Sequence, residues 1–305
     1  MRHKTAYRLS AIVAGILLLG ACGSTDEPAA PAVTAGVQPF ETLRGKELGL
    51  LRWSIDRIRN ECLAEAGYPQ NLEHMATEPV DQFAYLHFDE GMFGPRTEEE
   101  ARRSGFGKDV PAQLARIVSF DANYDRALKK CEDAAWAKAG EHLRNLVSGY
   151  IELGNTLMAE FSIEYEKLAN QKLPGLRQAL ADCLEKAGYK PADRERFIAE
   201  PDPKQFGIAF GGLEGGEDTW QPDRKPGTVQ VGPATPARQY RPTPAEADLA
   251  VAWHRCVRSA GFIETLMPLV YQAQEMAVKR HEDRLAEYAQ QTTEAAKSVA
   301  NLRWS

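Results

Sequence analysis

A short stretch recurs along this chain and narrows its fold more than any other feature. Glu61-Cys62-Leu63-Ala64-Glu65-Ala66-Gly67-Tyr68 comes back as Asp182-Cys183-Leu184-Glu185-Lys186-Ala187-Gly188-Tyr189 and as Arg255-Cys256-Val257-Arg258-Ser259-Ala260-Gly261-Phe262. Each copy reads as the last turn of a helix. Glycine, lacking Cβ, enters the left-handed region that closes a helix, and the aromatic after it folds back on the Leu or Val five residues earlier. The expected contacts are Tyr68 with Leu63, Tyr189 with Leu184, and Phe262 with Val257. Each cysteine is then presented from a last turn in the same orientation.

At the N-terminus, Arg2, Lys4 and Arg8 precede an uncharged apolar run from Leu9 to Leu19, too short for a comfortable membrane span. Leu19-Gly20-Ala21-Cys22 follows and resembles the lipobox of bacterial lipoproteins. Small residues admit the peptide bond to a protease, and the thiol accepts lipid. By that resemblance residues 1–21 are a lipoprotein signal peptide, and Cys22 becomes a diacylated N-terminus on the extracytoplasmic face of the cell membrane. Residues 22–42 are rich in Pro, Ala, Gly and Thr without a helical period, which predicts an extended lipidated tether. No later segment is apolar enough to span a bilayer, so the lipid is the expected anchor.

Setting Cys22 aside leaves Cys62, Cys131, Cys183 and Cys256, an even set in a compartment where disulfides persist. Four cysteines permit three connectivities. Pairing Cys62 with Cys131 and Cys183 with Cys256 is favoured, because the separations of 69 and 73 residues match. Matched spacing predicts a duplicated helical unit, 43–172 and 173–305, packed as one globular domain. Cys131 precedes Glu-Asp-Ala-Ala-Trp136 and so corresponds to Cys256 in position alone. A four-thiolate metal site lacks any close Cys-x-x-Cys pair.

Along the chain, apolar residues at spacings of three and four predict a helix over 43–66, with Leu48, Leu51, Ile55, Ile58 and Cys62 inward. Residues 70–111 read as an irregular insert, broken by a short helix after the capping box Thr97-Glu98-Glu99-Glu100. Helices are expected over 112–139, with Leu114, Ile117, Tyr124, Leu128 and Cys131 inward, then to about 172 and over 176–187. Residues 189–242, with eight prolines and many glycines, form the second irregular insert. Thr243-Pro244-Ala245-Glu246 is a strong helix start, with cap, proline and returning glutamate, and a final helix is expected over 264–302. The predicted fold is all-α, a disulfide-stapled helical bundle with two long irregular inserts.

The lipobox, the Cys-Leu-x-x-Ala-Gly-Tyr turns, and Thr-Pro-x-Glu leading to Cys256 and a long Gln/Glu-rich helix resemble uncharacterised helical lipoproteins of actinobacteria. That likeness implies a class and supplies no activity.

Composition narrows the role. Hydrophobic residues are 43% and charged ones 26% of 305 residues, an ordinary globular balance. The formal charge is −6, and the signal peptide removes three further cations, so nucleic acid is a poor partner. His87 and Asp89, in His87-Phe88-Asp89-Glu90, offer an imidazole and carboxylates, yet acid–base or metal chemistry needs a further group converging on them. The glycines of 206–216 lack the Gly-Lys-Ser/Thr ending of a phosphate loop. Trp53, Trp136 and Trp253 are expected to pack on the disulfides, His281 to be a hydrogen-bonded helix residue, and Trp220 to offer an anchor to a partner. No hydrolase motif appears. The sequence calls for no cofactor and no metal. The expected role is a membrane-anchored binding or scaffold module contacting an envelope protein or wall polymer. The alternatives are a solute-binding lipoprotein of a transporter and, less favoured, a cell-wall enzyme using groups of the inserts.

Overall fold

The first two recurrent turns close as expected. Gly67 and Gly188 sit at φ 92° and 94°, a region costly for any residue with a Cβ. Tyr68 N–H donates to the Leu63 carbonyl at 2.8 Å and Gly67 N–H to Ala64 at 3.1 Å; Tyr189 and Gly188 repeat the pattern on Leu184 and Glu185 at 2.9 and 3.0 Å. These are the paired bonds of a Schellman cap. The third copy differs. Gly261 is left-handed at φ 65°, but the chain re-enters a helix at once with Phe262, so the motif there turns a corner between two helices.

The structure is a computed structural model that describes residues 38–215 and 220–304. Residues 1–37, which hold the expected signal peptide, Cys22 and most of the expected tether, lie outside the described residues. Residues 38–42, read as tether, belong to the folded body instead. Pro39–Thr42 form a turn of 3-10 helix, Phe40 is fully buried with its ring edge-on to Phe161, and the Gln38 amide brackets the Phe88 backbone. A single buried aromatic gave no periodic signal within a Pro/Ala/Thr run.

The helices are α1 (Gly45–Glu65), α2 (Gln70–Glu73), α3 (Glu98–Ser104), α4 (Ala122–Ala139), α5 (His142–Lys172), α6 (Pro174–Lys186), α7 (Arg194–Ala199), α8 (Pro244–Ser259), α9 (Phe262–Arg280) and α10 (Glu282–Val299). Among the described residues, none is long and apolar enough to cross a membrane. In α1, Leu48, Leu51, Ile55, Ile58 and Cys62 are all buried, as their spacing requires. Helices α5 and α9 pack together at the centre, through residues such as Tyr150, Leu153, Leu157, Leu266, Val270 and Ala273. Cys62 and Cys131 lie at disulfide distance, Cα–Cα 5.6 Å, joining α1 to α4. Cys183 and Cys256 do the same, also at 5.6 Å, joining α6 to α8.

Three expectations need correction. The helix predicted over 112–139 begins at Ala122, capped by the Asp121 carboxylate, which accepts from Asn123 N–H at 2.8 Å. The preceding residues are extended and bond to the second insert. Val110 and Gln113 bridge Arg238 and Thr235, and β1 (Ile117–Ser119) pairs antiparallel with β3 (Val229–Val231). Leu114, expected inward, is 55% exposed. A further pair, β2 (Gly212–Leu213) with β4 (Tyr240–Arg241), lies within the second insert. Among the described residues the protein is therefore mostly helical with two small two-stranded sheets, and the second insert is zipped to the end of the first and to the stretch that follows it. Finally, the predicted last helix is two, α9 and α10, broken at His281 (φ −125°), whose Nε2 lies 2.9 Å from Glu160 Oε1.

The halves interleave. From the first half, α3 packs on α8; from the second, α10 packs on α1. The C-terminus returns to α1, where Trp304 Nε1–H donates to Glu65 and its backbone N–H to Glu61, both at 2.7 Å. Trp304, which the sequence reading passed over, packs against the Cys62–Cys131 cluster. Trp53 instead donates to the Ala76 carbonyl, and Trp136 is half-buried beneath the Arg144 guanidinium.

Candidate functional site

Both inserts close over one end of the helical body and leave a cavity of about 380 Å³. Its floor is core. Leu173 follows α5, Leu180 comes from α6, Trp253 and Val257 from α8, and Phe262 and Leu266 from α9; all six are buried. Its roof is loop, with Gly91–Pro95 and Gly105–Lys108 from the first insert and Pro201 and Pro203 from the second. Polar groups reach it from Tyr165, Arg177, Ser104, Glu100 and Lys108. Size, apolar lining and few polar groups are those of a small-molecule site.

The roof is held by Glu246. The sequence assigned this glutamate to a capping box, and half of that is present: its N–H donates to Thr243 Oγ1 at 3.1 Å. Its carboxylate, with no exposure, turns into the protein. It accepts from Phe106 N–H at 2.9 Å, Gly211 N–H at 2.7 Å and the Tyr240 hydroxyl at 3.0 Å. One buried charge thus ties α8 to both inserts, and the positive end of the α8 dipole favours it there. The glycines follow from this closeness: a Cβ on Gly105 (φ 56°) would lie 2.5 Å from Glu246 Oε1, and one on Gly211 1.8 Å from the Arg241 carbonyl oxygen.

Trp253 joins knot and cavity. It stacks edge-on with Phe106 at 5.6 Å and with Phe197 at 5.8 Å, and its indole N–H points at the Phe93 carbonyl at 3.4 Å. Burial pushes the Tyr165 hydroxyl up, with the Arg177 charge pulling the other way. Burial first, then the hydrogen bond and charge of Glu246, push Tyr240 up to about 12.

The candidate binding residues His87, Asp89 and Trp220 do not line this cavity, whereas Trp253, expected only to pack on a disulfide, does. Asp89 is exposed and caps a 3-10 turn, accepting from Gly91 N–H at 2.7 Å; its neighbour Glu90 pairs with Arg258. His87 is half-buried at the end of the preceding turn. No group of three or more His, Cys, Asp or Glu able to hold a metal occurs among the described residues. Trp220 is half-buried, its ring lying where a Cβ on Gly232 would come within 2.7 Å, with the Arg116 guanidinium 5.2 Å from the ring centre. Cys22 lies outside the described residues. The cavity itself was illegible, because its lining joins short runs from six parts of the chain. Compared with known proteins, the chain matches no family model, no curated protein and no solved structure.

Proposed function

We propose that this chain is a lipid-anchored extracytoplasmic binding module, of the actinobacterial lipoprotein class it resembles, whose ligand site is the cavity under the paired inserts. The observation that carries the reading is that cavity, roofed by both inserts and fixed by Glu246. The lipobox at Leu19–Cys22 supports the anchor and location. A ligand-binding role stands ahead of a scaffold role because the inserts enclose space and do not simply present a face.

The module is further proposed to be an internal duplication of an essentially helical unit. α1 and α6 both end in the Cys-Leu-x-x-Ala-Gly-Tyr turn and both carry a short helix against it, α2 and α7. α4 and α8 both supply the second cysteine, and β1 and β3, which pair with each other, both precede these helices. α5 then corresponds to α9 and α10 together. The strands lie in the second insert and in the stretch between the first insert and α4, beside an all-helical frame.

Native mass spectrometry of the non-reduced protein, extracted in mild detergent from membranes of the cells that make it, tests the reading. The expected species lacks residues 1–21, carries a diacylglyceryl group on Cys22, shows the mass deficit of two disulfides, and holds a small molecule released on denaturation. Ser104→Trp, which fills the cavity from its polar wall, is expected to lose that adduct. Unmodified Cys22 overturns the anchor; an adduct indifferent to Ser104→Trp overturns the site.

A further inference from the structure

Donors outnumber acceptors around the cavity. Arg177 lines the cavity and gives one Nη1–H to the Ala199 carbonyl at 2.8 Å, while its Nη2 takes part in no hydrogen bond among the described residues. Among the described residues, the Tyr165 hydroxyl and the Lys108 ammonium take part in no hydrogen bond or ion pair. The one carboxylate in the lining, Glu100, is already engaged by Arg96, whose N–H lies at 2.8 Å and Nε at 3.6 Å. A wall with two cationic side chains and one carboxylate, itself paired to Arg96 outside the lining, is best matched by a ligand that brings negative charge. The remaining surface, Leu173, Leu180 and Leu266 with the Trp253 ring, offers only apolar contact.

We propose that the cavity takes a monoanionic amphiphile, its apolar tail on the leucine floor and its anionic head group held by Arg177, Lys108 and Tyr165. This rests on the cavity being the ligand site. The protein is acidic overall, at −6, so the head-group assignment depends on the local surplus of donors and not on long-range attraction. A cationic head would be repelled by the Arg177 and Lys108 charges. A neutral head would accept hydrogen bonds without compensating the two charges.

Titration calorimetry below micelle-forming concentrations, with decanoate, decanol and decylammonium as probes at neutral pH, separates these cases. Decanoate is expected to bind one per chain, about tenfold or more tighter than decylammonium, as charge-assisted hydrogen bonds to a half-buried guanidinium require. Arg177→Gln is expected to weaken decanoate about tenfold and leave decanol unchanged, and Lys108→Gln to do the same to a lesser degree. Lys108 is exposed, so it decides alone if Arg177→Gln fails to fold by circular dichroism. Equal binding of the three probes, or decanoate unmoved by these substitutions, overturns the anionic head and leaves the cavity as the site. Binding of none of the three overturns both.

Discussion

A carboxylate withdrawn from water has to replace its hydration with fixed donors. Glu246 finds them 140 residues back at Phe106, 35 back at Gly211 and 6 back at Tyr240. Glu246→Ala leaves these three donors facing a void, at about 1–3 kcal/mol for each that water cannot reach. The expected loss is about 3 kcal/mol or more, read from urea unfolding. Glu246→Gln keeps one acceptor oxygen but turns an amide N–H toward the other donors, and should cost about half as much. Tyr240 adds a pH signature. Its hydroxyl is held up to about 12 in the folded protein, whereas an unfolded chain releases that proton near about 10. The unfolded state therefore ionises first. The stability from this contact is complete below about pH 10 and is lost as pH rises toward about 12. Urea midpoints across that window should fall more steeply for the wild type than for Tyr240→Phe; parallel curves would contradict the assignment. The sequence placed Glu246 at the right point of a helix start and gave its side chain the wrong partner. A capping box is local and readable, but donors brought by two inserts are not.

The same division between local and distant causes holds for whole elements. Caps at Thr97, Thr243, Gly67 and Gly188 were legible because each is written within a few residues. The segment 112–121 failed because Leu114 and Ile117 have helical spacing, while their backbone pairs with residues more than a hundred positions away. Ladder hydrogen bonds there outweigh a weak local propensity. The disulfides allow a sharper test of what each element does. Both close loops of similar length, 69 and 73 residues, so Cys62→Ser/Cys131→Ser and Cys183→Ser/Cys256→Ser should each cost about 4 kcal/mol in the chain-entropy account. Their effects on binding should part. α6 and α8, joined by Cys183–Cys256, both line the cavity, whereas α1 and α4 do not. At a temperature where all variants are folded, decanoate affinity should drop for the second pair and hold for the first. Equal effects would mean that the cavity is not shaped by α6 and α8.

At the scale of the molecule, matched cysteine spacing pointed to two units, and the packing shows why neither is self-contained. Helix α1 buries its apolar face against α4 of its own half and α10 of the other; α5 of the first half lies on α9 of the second. Phe83 and Tyr150, fully buried in the first half, share one core with Phe197, Leu249 and Val270 of the second. Cutting the chain at Leu173 would expose these faces together, far more apolar surface than a half-sized chain can lose and remain folded. Residues 38–173 and 174–305, produced separately and oxidised, are therefore expected to show weak helical circular dichroism and no cooperative thermal transition. Mixed in equal amounts, they should regain helix and a single melting step, because every cross-half contact can re-form between chains. If the halves descend from one repeated unit, that unit needed a second copy of itself to bury the face now covered by its partner. A half that melts cooperatively alone would show an independent domain, and the interleaving would then be mere contact between two finished folds.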